Sequence, residues 1–332
     1  MTGVKRNLEN KIKHLLRQFS VVAVLGVRQS GKTTIAKNIA PDWDYFDLEN
    51  AKDYERITHD LDFFFKQHSR QVIIDEAQEY PQLFKTLRGV VDQQRTEKGR
   101  FILTGSSNPE LLDGISESLA GRVAIVELGT LKANEYYQKP LSKFYDLFID
   151  MLSKKTLVSG SAPLTVTQMQ KLWLYGGYPE PVLQSDINFY NQWMDNYSRT
   201  YINYDIAKLF PKLNKIAYRR FLSMLGQLSG TIINKRDLAR SIEISEKTIK
   251  EYLDIAEGTF LWRNLLSYEK NVVKKIVKMP KGHLRDTGFL HYLLQIHNIN
   301  MLYTNPLVGR SFEAFIILLI YPPPEAVAWA MV

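Results

Sequence analysis

The chain has no cysteine among its 332 residues. Disulfides and thiolate-held metals are therefore excluded, which fits a reducing compartment. Long hydrophobic runs are also missing. The longest, Ala314 to Tyr321, falls far short of the ~20 apolar residues that cross a bilayer. No apolar signal core opens the chain, because Lys5, Arg6, Lys11 and Lys13 are interleaved with Glu9 and single apolar residues. A cytoplasmic protein without a membrane partner is expected. The six histidines (14, 59, 68, 283, 291 and 297) show no metal-ligand spacing, and no internal repeat is visible. Acidic charge is in deficit: the net charge is +8. The excess is local, since residues 211–285 hold 16 Lys and Arg against 7 Asp and Glu. Such a block points to a polyanion or an acidic protein surface as partner.

The richest stretch lies near the start. Val21–Leu25 is apolar and mostly β-branched, the pattern of a strand buried on both faces of a parallel sheet. It runs into Gly26-Val27-Arg28-Gln29-Ser30-Gly31-Lys32-Thr33-Thr34, a G-x-x-x-x-G-K-T phosphate-binding loop opening a helix. Glycine lets the backbone curl so that N–H groups point inward at phosphate oxygens. The helix start adds unpaired N–H groups and the positive end of its dipole. Lys32 is expected on the β- and γ-phosphates and Thr33 on Mg²⁺. ATP is favoured over GTP because no Asn-Lys-x-Asp guanine-reading segment occurs.

Around this loop the pattern is α/β. Val4, Leu8, Ile12, Leu15 and Phe19 recur at helical spacing ahead of the first strand. The loop helix runs to about Ala40, Tyr45–Glu49 reads as a short strand, and Leu61–Phe65 reads as helical core. Gln71–Ile74 is a second buried strand ending in Asp75-Glu76. Carboxylates at the C-terminal edge of a parallel strand face the same crevice as the phosphate loop. Asp75 is expected to hold Mg²⁺ and Glu76 to activate water as general base. A helix over Pro81–Arg95 precedes the strand Phe101–Thr104, which enters Gly105-Ser106-Ser107-Asn108. Thr104 and Ser106 are candidates for sensing the γ-phosphate, against the plainer reading of a cap for Pro109–Leu112. Arg122 enters the strand Val123–Leu128. It has two readings: charge neutralisation at the transferring phosphoryl group, in cis or from a neighbouring subunit, or a structural ion pair.

In the second half, Leu131–Leu157 has a helical pattern and Val158–Pro163 is a small-residue linker. The aromatics between Trp173 and Phe210 fall at helical spacing and read as core. Helices are expected at Ala217–Leu228, from Asn234 to Ile244, and from Ser245 onward, followed by a basic hairpin over Leu261–Val277. That order resembles a winged helix-turn-helix. If it binds DNA, Lys247, Thr248 and Lys250 face the major groove, and Lys274, Lys275 and Lys278 track phosphates. Glu246, Glu251, Asp254 and Glu257 weigh towards a packing module instead.

Together, Gly-x-Arg-Gln-Ser-Gly-Lys-Thr-Thr, Ile-Ile-Asp-Glu-Ala-Gln, Leu-Thr-Gly-Ser-Ser and Ser-Leu-Ala-Gly-Arg form a series. It resembles the prokaryotic AAA-superfamily ATPases that carry a C-terminal domain of unknown function, number 4143. Gly176-Gly177-Tyr178-Pro179-Glu180, Lys278–Lys281 and Asp286-Thr287-Gly288 continue the likeness to about Phe315. Val27 departs from the proline usual in that loop. The resemblance implies ATP binding and hydrolysis on an AAA+-like, ASCE-type P-loop NTPase core. In relatives a nuclease-like region follows; Glu313 sits where they have an acid, but Pro322-Pro323-Pro324 and an apolar tail come next. The expected organisation is an α/β ATPase domain (1–135), a helical linker (136–210), a basic winged-helix domain (211–310) and the start of a truncated further domain (311–332). The rival reading is a nucleotide-gated DNA- or protein-binding module that does not hydrolyse; self-assembly into a homo-oligomer is a further option.

Overall fold

The computed structural model describes residues 3–106, 114–115, 117–141, 164–184, 186–266 and 279–320. They form two compact units: among the described residues, those up to Gly129 and residues 138–141 belong to the first, and Thr130–Tyr137 and those from 164 to 320 to the second.

The first unit is built on a parallel sheet of β1 (Val21–Gly26), β2 (Asp44–Asp47), β3 (Val72–Asp75), β4 (Phe101–Ser106) and β5 (Val123–Glu127). The strand order is β2-β3-β4-β1-β5, so β4 lies between the phosphate-loop strand and the strand bearing the two carboxylates. β1 is buried along its whole length, which is why it reads as an unbroken apolar run rather than an alternating one. The helices are α1 (Glu9–Leu16), α2 (Lys32–Ile39), α3 (Ala51–Thr58), α4 (Leu61–Gln67) and α5 (Gln82–Gln93). Ile12 of α1 and Ile35 and Ala36 of α2 pack with Val22, Val24, Ile73 and Ile102. These alternate strand residues share one face, as the two-residue period requires. On the other face Phe65 of α4 meets the Phe101 ring edge-on at 5.6 Å. Asn50 and Asp60 cap α3 and α4 with side-chain oxygens.

The second unit is mostly helical. It contains α6 (Ala133–Tyr136), α7 (Val166–Tyr175), α8 (Pro179–Gln184) and α9 (Ile187–Thr200). A π-helical stretch, Tyr201–Ile206, continues α9 into the single turn α10 (Ala207–Leu209). Then follow α11 (Lys215–Leu228), β6 (Thr231–Ile232), α12 (Lys235–Ile242), α13 (Glu246–Gly258), β7 (Trp262–Leu265) and β8 (Lys281–Leu284). The chain of this unit ends, among the described residues, with α14 (Thr287–Leu293), α15 (Ile299–Thr304) and α16 (Val308–Ile320). Helix, strand, two helices and two strands, closed by the antiparallel order β6-β8-β7, make a winged helix. Asn214, Asn234 and Ser245 cap its three helices.

Asp286 is the polar centre of this unit. It accepts from the Gly177 N–H at 2.8 Å, the Thr130 hydroxyl at 2.9 Å and the Phe289 N–H at 3.0 Å. Burial raises its carboxyl above the ordinary range, against the pull of these bonds. The Asp286-Thr287-Gly288 and Gly176-Gly177 motifs thus join one structural knot. Trp173, Tyr178, Tyr190, Trp193, Tyr197 and Tyr201 are buried, as their spacing suggests, while Tyr204 is 72% exposed.

Several expectations are corrected. Within Leu131–Leu157, only Ala133–Tyr136 is helical among the described residues; 142–157 and the linker lie outside them. No single boundary separates the units near 135/136, since Thr130–Tyr137 group with the second unit and 138–141 with the first. The second strand of the basic hairpin is Lys281–Leu284, beyond Val277, and Lys274, Lys275 and Lys278 lie outside the described residues. Residues 311–320 do not begin a separate domain. They belong to α16, whose Phe315 and Leu318 share a core with Leu172 and Trp173. The tail from 321 onward is also outside the described residues.

Candidate nucleotide-binding and hydrolysis site

The C-terminal ends of β1, β3 and β4 lie side by side, and each delivers part of one site. After β1 the chain turns through Val27–Gly31, with Gln29 and Gly31 at positive φ (62° and 94°). Gly26 is required by close approach, because a Cβ there would sit 2.2 Å from the Leu128 carbonyl oxygen. Gly31 stands at the N-cap of α2 without a side-chain cap, so the first N–H groups of that helix are open to a ligand. The Ser30 hydroxyl is fully buried and has no hydrogen-bond partner among the described residues.

Lys32 is 4% exposed, and its ammonium donates to the Val27 carbonyl at 3.2 Å. Burial pushes it below its ordinary value; Glu76 and Asp75 oppose that shift and Arg28 adds to it. Arg28 itself lies 3.8 Å from Glu49 across exposed surface. Val27, Gln29, Ser30 and Thr34 fall on the loop or the first turn of α2, as expected.

Asp75 is 3% exposed and held by hydroxyls. Thr33 Oγ1 donates to its Oδ2 at 2.7 Å, Tyr45 OH donates to the same oxygen at 2.7 Å, and Thr104 Oγ1 bonds Oδ1. Thr104 is therefore placed as an orienter of Asp75. Glu76 follows in the left-handed region, φ 50° and ψ 49°. Its Oε2 accepts from Gln78 Nε2 at 2.6 Å, Ser106 Oγ at 2.8 Å and the Ser106 N–H at 3.1 Å. Burial alone would raise this carboxyl. The Lys32 charge and the three hydrogen bonds outweigh it, and the group lies below its ordinary value. Glu76 is thus an ionised acceptor at neutral pH, the form a general base needs.

Arg122 is not in this site. It precedes β5 and pairs with the start of β1, where its carbonyl accepts from the Val21 N–H. The loop lies at the other end of β1, ~16 Å away at the rise of a strand. Its guanidinium grips Asp92 with two bonds, 2.7 and 2.9 Å, and donates to the Ala120 carbonyl at 2.8 Å. The structure gives it the ion-pair role and removes the reading in cis.

Three participants went unrecognised in the sequence. Tyr45 and Gln78 are described above. The third is Arg6, 7% exposed, whose Nη1 and Nη2 donate to the Ser30 and Gly129 carbonyls at 2.8 and 2.7 Å. It straps the phosphate loop to the segment leaving β5. In the winged helix, Lys247 and Lys250 are exposed, but so are Glu246, Glu251, Asp254 and Glu257. The Thr248 hydroxyl is engaged with the capping Ser245 at 2.9 Å.

The donor set suits a triphosphate with a hard cation. It combines a glycine-lined loop, an open helix start and a buried ammonium with an all-oxygen hydroxyl–carboxylate pair.

Comparison with known proteins agrees for the first unit. A family model described as an AAA domain matches residues 18–137. Residues 166–300 match a model described as Domain of unknown function (DUF8612). This corrects the expected number 4143. Two curated relatives, uncharacterized proteins Mb2031c of Mycobacterium bovis and Rv2008c of Mycobacterium tuberculosis, are each 32% identical over 316 residues. The alignment covers 94% of this chain and 65% of theirs. Among solved structures, the Thermotoga maritima RuvB Holliday junction branch migration motor superposes with TM-score 0.34 at 15% identity, covering 77% of this chain and 88% of that one. The Aeropyrum pernix ORC1 protein in complex with DNA superposes with TM-score 0.31 at 10% identity, covering 86% and 91%. Scores this low carry no functional weight.

Proposed function

We propose that the protein is a Mg²⁺-dependent ATPase whose basic winged helix contacts a nucleic acid. The observation that supports the ATPase reading best is the convergence of Thr33, Asp75, Thr104, Glu76 and Ser106 at one sheet edge beside Lys32; the nucleic-acid reading rests on the excess of Lys and Arg in residues 211–285. Thr33 and Asp75 would hold the cation, which supplies charge neutralisation on the β- and γ-phosphate oxygens. The loop N–H groups and Lys32 grip the phosphates. Glu76, with Oε2 fixed by Gln78 and Ser106, presents Oε1 to a water and takes its proton as that water attacks the γ-phosphorus; the bond from that phosphorus to the β–γ bridging oxygen breaks, and ADP leaves with the electron pair.

The test is phosphate release by the wild type and by Glu76→Gln. Loss of the base should slow turnover by ~100-fold or more while ATP binding survives. Equal rates would remove Glu76 from the role. A second reading, ATP binding without turnover, is favoured by the three hydrogen bonds that already occupy Oε2. In that case the wild type binds ATP and releases no phosphate.

A further inference from the structure

Tyr45 lies on β2, a strand that contributes no residue to the phosphate loop or the acidic pair. Its register explains how it arrives at the site. Tyr45 stands opposite Ile73, and Asp75 is two residues further along β3. Residues two apart in a strand share a face and lie ~6.6 Å apart. A tyrosine ring laid along the strand spans that gap, and its hydroxyl meets Asp75 Oδ2 at 2.7 Å. From α2, the Lys37 ammonium sits 3.4 Å above the centre of the same ring. Lys37 is one helical turn beyond Thr33, so one helix supplies both Thr33 to the carboxylate and a cation to the ring that braces it. A tyrosine hydroxyl carries its proton at neutral pH, and toward a carboxylate oxygen it can only donate.

The two oxygens of Asp75 have different environments. Oδ1 is tied to Thr104, while Oδ2 takes Thr33 and Tyr45 together. When the Thr33 hydroxyl turns to a cation, Oδ2 loses that donor, and Tyr45 is then the donor that remains on this oxygen, as Thr104 is on Oδ1.

We propose that Tyr45 is a positioning residue for the divalent cation: holding Oδ2 while Thr104 holds Oδ1, it fixes the orientation in which the Asp75 carboxylate meets a metal beside Thr33. This rests on the reading of Thr33 and Asp75 as the metal-holding pair. An outer hydrogen bond of this kind is typically worth ~10-fold in metal affinity. Tyr45→Phe removes only the hydroxyl and keeps the ring under Lys37.

The experiment is a titration of a fluorescent ATP analogue into the full chain, first in EDTA and then at rising Mg²⁺, with Mn²⁺ binding followed separately by electron paramagnetic resonance. For the wild type, Mg²⁺ tightens nucleotide binding. For Tyr45→Phe, affinity in EDTA is unchanged, and the Mg²⁺ and Mn²⁺ half-saturation points rise ~10-fold. Unchanged half-saturation in the variant overturns the proposal while leaving the metal pair intact. Equal weakening with and without metal also overturns it, because Tyr45 then supports the loop rather than the cation. Wild-type binding that ignores Mg²⁺ instead overturns the Thr33–Asp75 reading beneath it. Should Tyr45→Phe not fold, Lys37→Met removes the cation that polarises the phenol; the same shift, smaller, is expected, and no shift refutes the proposal.

Discussion

Acidification from pH 7.5 to 5.0 should cost the second unit ~2 kcal/mol through one side chain, His291. The ring is fully buried in α14. Its Nδ1–H donates to the Leu174 carbonyl at 2.8 Å, and its Nε2 accepts from the Ser311 hydroxyl at 2.6 Å. Ser311 Oγ in turn accepts from Trp173 Nε1 at 2.9 Å. Every donor has an acceptor only while the imidazole is neutral. A second proton on Nε2 would force the serine hydroxyl to give up its acceptor, inside a fully buried site. Burial accordingly holds the ring down to about 4, from an ordinary 6.5. The unfolded chain binds the proton near 6.5 and the folded chain does not, so stability is full above 6.5 and falls as pH drops towards 4. The whole window is worth ~3 kcal/mol, of which ~2 is lost by pH 5. Urea unfolding followed by tryptophan fluorescence, at both pH values, measures it. His291→Gln is the control: it lowers stability at every pH but removes this slope. His283, also depressed by burial, and Asp286, raised by it, titrate in both proteins and cancel in the comparison. Wild type and variant losing equal stability between the two pH values would refute the argument.

Arg6→Ala strips the Ser30 and Gly129 carbonyls of charged donors worth ~1.5–3 kcal/mol each; denaturation and nucleotide titration should show lower stability of the first unit together with weaker ATP binding. Arg122→Ala should leave turnover within about twofold in a phosphate-release assay, since the guanidinium serves Asp92 at the far sheet edge; a hundredfold loss would mean that it reaches a neighbouring subunit's site. On the winged helix, the exposed charges of α11 are all basic, Lys215, Arg219 and Arg220, whereas acids outnumber Lys247 and Lys250 on α13. Charge reversal at Arg219 and Arg220 should therefore weaken duplex DNA binding and flatten its salt dependence by ~1 per lost phosphate contact, whereas reversal at Lys247 and Lys250 should change little, as fluorescence anisotropy at several salt concentrations would show.

What the sequence made visible was local. The phosphate loop, the strand ending in Asp75-Glu76 and the helix starts at Asn234 and Ser245 are written in adjacent residues, and each falls where its pattern places it. What it hid depends on register. Tyr45, Asp75 and Thr104 sit on three strands, and only the order β2-β3-β4 with Tyr45 opposite Ile73 and Ile73 opposite Ile102 puts their side chains on one face. Nothing within eight residues of Tyr45 announces that pairing. Arg6 is hidden for the same reason, since its acceptors are 24 and 123 residues away. Arg122 is the opposite case. A residue that precedes a parallel strand lies at the N-terminal edge of the sheet, and a loop that follows one lies at the C-terminal edge. Strand direction alone therefore separates Arg122 from the phosphates of its own chain, and that geometry was available before any coordinate was known.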